Sequence, residues 1–155
     1  MNNEKLVNVL NSLIKINNDR IEGYLRAASE TDTIELINMF EDFQKTSQLC
    51  KSELSTEVIR LGGTPTYETT TTGKIFRLWM DLKAAVTGNN INLILKSCEY
   101  GEKAALETYK NALIQEHHLI TVKEQNMLNA HYSLIKSDLD KVTNRRNNKP
   151  EVRLN

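Results

Sequence analysis

Two carboxylates, Glu99 and Glu102, stand where an apolar stripe should continue. Leu95, Glu99, Glu102, Leu106, Tyr109 and Leu113 follow one another at helical three-and-four spacing, so both acids share a face with leucines and a tyrosine. A charged group is rarely buried without a partner. Similar breaks recur along the chain. Leu6, Leu10, Leu13, Asn17, Arg20 and Tyr24 make one stripe that turns polar at Asn17; Gln44 and Ser47 interrupt Ile37, Phe40 and Leu54; His131 falls between Leu128 and Ile135. Each break lies near the middle of its segment, and in a bundle of similar helices the middles share one height. Asn17, Gln44, Ser47, Glu99, Glu102 and His131 are therefore expected to form one buried polar layer. Carboxylates plus histidine inside a four-helix bundle are the raw material of a di-iron site.

The elements that must carry this layer are helices. Only six Gly and two Pro occur in 155 residues, and both prolines fall outside the periodic segments. Apolar periodicity predicts long helices over about 3–28, 33–61, 91–114 and 121–142. Asp32 with Glu35, and Thr121 with Glu124, have the spacing of a capping box at two of the helix starts. Gly62-Gly63 supplies the residue type that accepts a left-handed helix end. Between them, Thr64 to Thr72 holds Pro65 and four consecutive threonines and favours extended chain. Ile75, Leu78, Trp79, Leu82 and Val86 then mark a short amphipathic helix over 73–87, with Trp79 expected to pack it onto the bundle.

Connection lengths set the topology. Short turns make the first two long helices antiparallel, and likewise the last two. The 62–90 connection is long enough to run the length of the bundle, which leaves the second and third long helices parallel. The expectation is an all-α four-helix bundle, up-down, long crossover, down-up, with a short extra helix in the crossover. It forms one domain over 1–143, followed by a disordered polar tail over 144–155.

Composition narrows the function classes. Twenty basic and twenty acidic residues give a formal charge of zero, so no global field steers the chain to nucleic acid. No apolar run is long enough for membrane insertion, and the polar start from Met1 to Lys5 does not read as a signal peptide; the expected location is the cytoplasm. Cys50 and Cys98 sit roughly 10 Å apart in height when Ser47 is level with Glu102, too far for a disulfide, and read as small buried hydrophobes.

Several stretches together carry a family resemblance: Asn17 through Tyr24, the Leu61-Gly62-Gly63 helix end, the Gly73-Lys74 to Thr87-Gly88 segment around Trp79, and Cys98, Glu99, Gly101, Glu102, Ala104 and Tyr109. They resemble an uncharacterised bacterial family of four-helix bundles of unknown function, placed in the ferritin-like superfamily. The resemblance covers about residues 5–115 closely and the last helix loosely, and it implies a ferritin-like fold. Di-iron proteins of that superfamily place a Glu seven residues before a Tyr on the first and third long helices, and a Glu-x-x-His on the second and fourth. Here Asn17 precedes Tyr24, Ser47-x-x-Cys50 replaces the second motif, Glu102 precedes Tyr109, and Leu128-x-x-His131 keeps only the histidine. Losing three carboxylates and one histidine removes most of the metal-binding energy.

The leading expectation is a non-enzymatic bundle with a degenerate di-iron site, no catalytic residues and no cofactor. It would serve a structural, stress-related or interaction role, as a homo-oligomer or with another protein. The alternative is a metal-binding or oxidase-like protein holding iron or another divalent metal on Glu99, Glu102 and His131. A third reading places a small apolar ligand against Tyr24 and Tyr109, for which an open internal pocket is required.

Overall fold

The computed structural model describes residues 2–147, and all of the regular structure among them is helical. Five helices follow in order: α1 (Asn2–Ser29), α2 (Ile34–Arg60), α3 (Gly73–Thr87), α4 (Ile91–Gln115) and α5 (Val122–Asn147). α1 packs along α2, α4 along α5, and α3 lies mainly on α4.

Helix ends follow local chemistry. At the end of α2, Gly62 takes φ +87°, and the N–H of Gly63 reaches back to the Val58 carbonyl at 2.9 Å. This is the hydrogen-bond pattern of a glycine-terminated helix. The Asn90 side chain accepts from the Leu93 N–H and starts α4. Thr121 and Glu124 exchange side-chain bonds with each other's backbone N–H, at 2.8 and 3.3 Å, the reciprocal cap expected from their spacing. The Asp32–Glu35 cap does not form. Thr33 caps α2 without a side-chain bond, and its own N–H goes to Thr31 Oγ1 instead.

α5 ends later than its apolar stripe. Residues 144–147, expected in the polar tail, are helical because their side chains find acids on the bundle. Arg145 Nη1 donates to Glu35 Oε2 at 2.5 Å and Arg146 Nη1 to Glu99 Oε1 at 2.6 Å. The rest of the expected tail, 148–155, lies outside the described residues.

The 64–72 crossover is extended, and α1 supplies its hydrogen-bond partners. Asn11 accepts from the Thr66 N–H and donates to the Thr64 carbonyl. Asn18 donates to the Glu68 carbonyl at 3.0 Å, and Asp19 accepts from both the N–H and the hydroxyl of Thr70 at 2.6 Å. As the crossover advances, its partners advance along α1, so it runs beside that helix from one end of the bundle toward the other. This answers the backbone groups that a neighbouring strand would otherwise satisfy. It also explains why Asn18 and Asp19 are buried although neither faces the core stripe.

Trp79 docks α3 at two glycines. A Cβ added at Gly23 would lie 2.4 Å from the Trp79 ring, and one added at Gly101 would lie 3.7 Å from it. The indole meets Tyr24 edge-on, with centroids 5.1 Å apart.

Apolar burial forms two clusters. One gathers Leu6, Leu10, Leu13, Ile14, Leu54, Val58, Leu106, Leu128 and Ile135. The other gathers Tyr24, Phe40, Phe43, Leu82, Val86, Ile94 and Val142. Each large side chain removed from water contributes about 1.5–3 kcal/mol. Between the clusters lie the polar residues.

Candidate functional site

A single basic side chain organises the polar centre. Arg20 projects from the inward face of α1 with no exposed surface. Its Nε donates to Glu102 Oε2 at 2.8 Å, its Nη1 to Ser47 Oγ at 2.5 Å and its Nη2 to Asp138 Oδ2 at 3.0 Å. A further bond joins Nη2 to Glu102 Oε1, so that carboxylate is held in a two-pronged grip. α1, α2, α4 and α5 thus contribute one group each.

The electrostatics follow from burial. Removal from water works against the Arg20 charge, but Glu102 outweighs it and the guanidinium holds its proton more tightly than usual. Burial raises the Glu102 carboxyl above its ordinary range, against the downward pull of Arg20. Tyr24 lies beside this group, its hydroxyl raised well above the usual phenol value first by burial and then by Glu102. That hydroxyl has no hydrogen-bond partner.

A second polar chain lies further along the bundle, three residues from Arg20 on α1 and seven from Glu102 on α4. Asn17 Nδ2 donates to the Tyr109 hydroxyl at 2.9 Å, Tyr109 Oη lies 3.1 Å from His131 Nδ1, and His131 Nε2 lies 2.7 Å from Glu53 Oε1. Going forward along α1 from Asn17 to Arg20 means going back from Tyr109 to Glu102, back from Glu53 to Ser47, and forward from His131 to Asp138. Hence α1 and α5 run one way and α2 and α4 the other, as the connection lengths require.

The expected single layer is therefore two clusters, and its membership changes. Ser47 and Glu102 join Arg20; Asn17 and His131 join Tyr109. Glu102 and His131 do not bond to one another. Glu99 leaves the layer: its carboxylate, 13% exposed, pairs with Arg146 and accepts from Thr143 on α5. Gln44 is only half-buried. Glu99, Glu102 and His131 thus have three different sets of partners, and among the described residues no three His, Cys, Asp or Glu side chains are grouped to hold a metal. Tyr24 and Tyr109 are fully buried. Tyr24 is packed against Phe40 and Phe43 as well as Trp79, with ring centroids 5.6 and 5.1 Å away for the two phenylalanines. Tyr24 thus has aromatic neighbours on both α2 and α3.

Cys50 and Cys98 are free and buried, in keeping with their expected role as small hydrophobes. Burial pushes the Cys50 thiol up to about 12. At the far end of α2, Arg60 holds Glu57 down to about 2 through paired bonds at 2.9 and 2.6 Å, while burial raises the neighbouring Glu124. No helix among the described residues is long and apolar enough to cross a membrane.

Residues 5–115 match the family described as Domain of unknown function (DUF2383), and the chain belongs to that family. The matched span ends with α4, so Asp138 and His131 come from a helix beyond it. No curated protein and no solved structure matches the chain.

Proposed function

We propose that this chain is a ferritin-like bundle without an enzymatic centre. It acts through its surfaces in a structural, stress-related or interaction role in the cytoplasm, on a second copy of itself or on another protein. The observation that carries this reading is Arg20. A guanidinium donates to Glu102 and Asp138 at the height where di-iron proteins of that fold gather carboxylates around metal. It supplies the positive charge that two buried carboxylates need. The residues present do not suit a di-iron centre. Glu102 is engaged at both oxygens by Arg20, His131 is engaged at both ring nitrogens, and Asn17 and Ser47 offer no negative charge. Hard divalent metals take their binding energy from anionic oxygen.

Elemental analysis of untagged protein purified without chelator tests the proposal, alongside Glu102→Gln. The expected result is no stoichiometric iron, manganese or zinc in either protein. Near-stoichiometric metal in the parent, lost in the variant, would replace this reading with the metal-binding one.

A further inference from the structure

Tyr109 and Tyr24 are both fully buried phenols, and they differ in one respect. The Tyr24 hydroxyl has no hydrogen-bond partner. The Tyr109 hydroxyl opens a hydrogen-bonded path to the surface. Asn17 can only donate through Nδ2, so it occupies a lone pair of Tyr109 Oη and leaves the phenolic hydrogen for His131 Nδ1, 3.1 Å away. A carboxylate can only accept, so His131 carries its hydrogen on Nε2 and donates it to Glu53 Oε1 at 2.7 Å. Glu53 is 48% exposed and delivers the path to water. The Cys50 thiol also lies near Tyr109, but burial keeps it protonated and it is no base.

We propose that Tyr109 is a redox-active tyrosine, giving one electron to a diffusible one-electron oxidant while its proton leaves through His131 and Glu53. An electron can tunnel through packed protein, whereas a proton must be handed along hydrogen bonds. The O–H bond of Tyr109 breaks and an N–H bond forms at His131 Nδ1. The Nε2–H bond breaks in turn, its proton joins the Glu53 carboxylate, and Glu53 releases it to water. The oxidant is reduced by one electron, Tyr109 becomes a neutral phenoxyl radical, and His131 stays neutral in its other tautomer. No uncompensated charge appears in the apolar interior, which is what makes the step feasible there. Reduction reverses every transfer. The Tyr24 hydroxyl lies beside Glu102, whose two oxygens are already held by Arg20, and it makes no hydrogen bond that leads to water; it serves as the control within the same core.

The test uses the full chain with Tyr67, Tyr100 and Tyr132 changed to Phe, oxidised by a flash-excited ruthenium polypyridyl complex with a sacrificial acceptor. The radical is read by electron paramagnetic resonance on ring-deuterated tyrosine. The expected signal is a tyrosyl radical that disappears in Tyr109→Phe and persists in Tyr24→Phe. In His131→Leu its formation should slow by roughly a hundredfold or more, the scale of a lost positioned base. Should that variant fail to fold, Glu53→Gln, a surface change, reads the same path: formation slows and the rate in heavy water falls further. A radical on Tyr24 with Tyr109 silent would overturn the proposal. So would a Tyr109 radical formed at the parent rate in both His131→Leu and Glu53→Gln.

Discussion

Replacing Arg20 by Met keeps a long side chain on α1 and removes the positive charge that bridges Glu102 and Asp138, leaving Asp138 with only the exposed Lys141 at 3.9 Å among the described residues. Four hydrogen bonds go with it, one to Ser47, two to Glu102 and one to Asp138. A bond to a charged group is worth about 1.5–3 kcal/mol net, and bonds that share one guanidinium do not simply add. The larger effect is the fully buried Glu102 carboxylate left without its cation, which makes the whole change cost about 3–5 kcal/mol. For a domain whose total stability is on the order of 5–15 kcal/mol, that is a large fraction. With a urea dependence of roughly 2 kcal/mol per molar, the unfolding midpoint should fall by roughly 2 M. The loss should depend on pH. With the guanidinium gone, the main influence opposing burial on Glu102 is lost, and its folded carboxyl titrates higher than in the parent. A raised acid binds its proton more tightly when folded, so the variant is least impaired below the unfolded Glu value of about 4.3 and worsens as pH rises through the raised folded value. Adding Glu102→Leu to Arg20→Met should recover part of the loss at neutral pH. Urea unfolding followed by circular dichroism at pH 5 and pH 8 reads all three variants. The reasoning fails if Arg20→Met lies within about 1 kcal/mol of the parent, or if its deficit is the same at both pH values.

Three further expectations use other parts of the molecule. Burial lowers the His131 pKa, with Glu53 opposing; a depressed histidine destabilises the fold as pH drops, so stability should decline from about pH 6.5 downward, by at most about 1.4 kcal/mol per pH unit, with a shallower decline in His131→Gln. Gly23→Ala gains about 1 kcal/mol of helix propensity but forces the Trp79 ring aside, at a cost of about 1–3 kcal/mol; the net change should be destabilising, shift the Trp79 fluorescence, and be relieved by Trp79→Leu. Asp19→Ala leaves the Thr70 N–H and hydroxyl without their acceptor, costing about 1–3 kcal/mol if they stay buried, and amide exchange should accelerate first at Thr70 while α4 stays protected.

The elements were legible because they rest on local rules. Periodicity located four long helices, Gly62 ended α2, Thr121 and Glu124 capped α5, and the length of 62–90 required helices on either side of it to run parallel. The centre was less legible. Arg20 sits in the α1 stripe at the right spacing, but an arginine on an apolar stripe usually reads as a long side chain reaching for solvent. Only the facing acids make burial affordable. Asp138 was missed although it lies seven residues after His131 and three after Ile135, a spacing that puts all three on one face. Glu99 was misplaced because one-dimensional spacing cannot tell the centre of a stripe from its edge, and the edge is where Arg146 could reach it. Asn18 and Asp19 carried no visible signal, since their burial depends on a crossover that has no partner strand of its own.

The Arg20 centre also bears on how the molecule comes apart. One guanidinium holds a group from each of α2, α4 and α5 while it belongs to α1, and Trp79 seats α3 against glycines of both α1 and α4. No long helix can peel away without breaking a hydrogen bond to Arg20, and for α1, α4 and α5 that bond belongs to an ion pair, so partial opening costs nearly as much as complete unfolding. In proteins generally, exchange of backbone amides proceeds through separate sub-global units. Here the slowest amides of α1, α2, α4 and α5 should share one opening free energy, and the bundle should melt as a single unit.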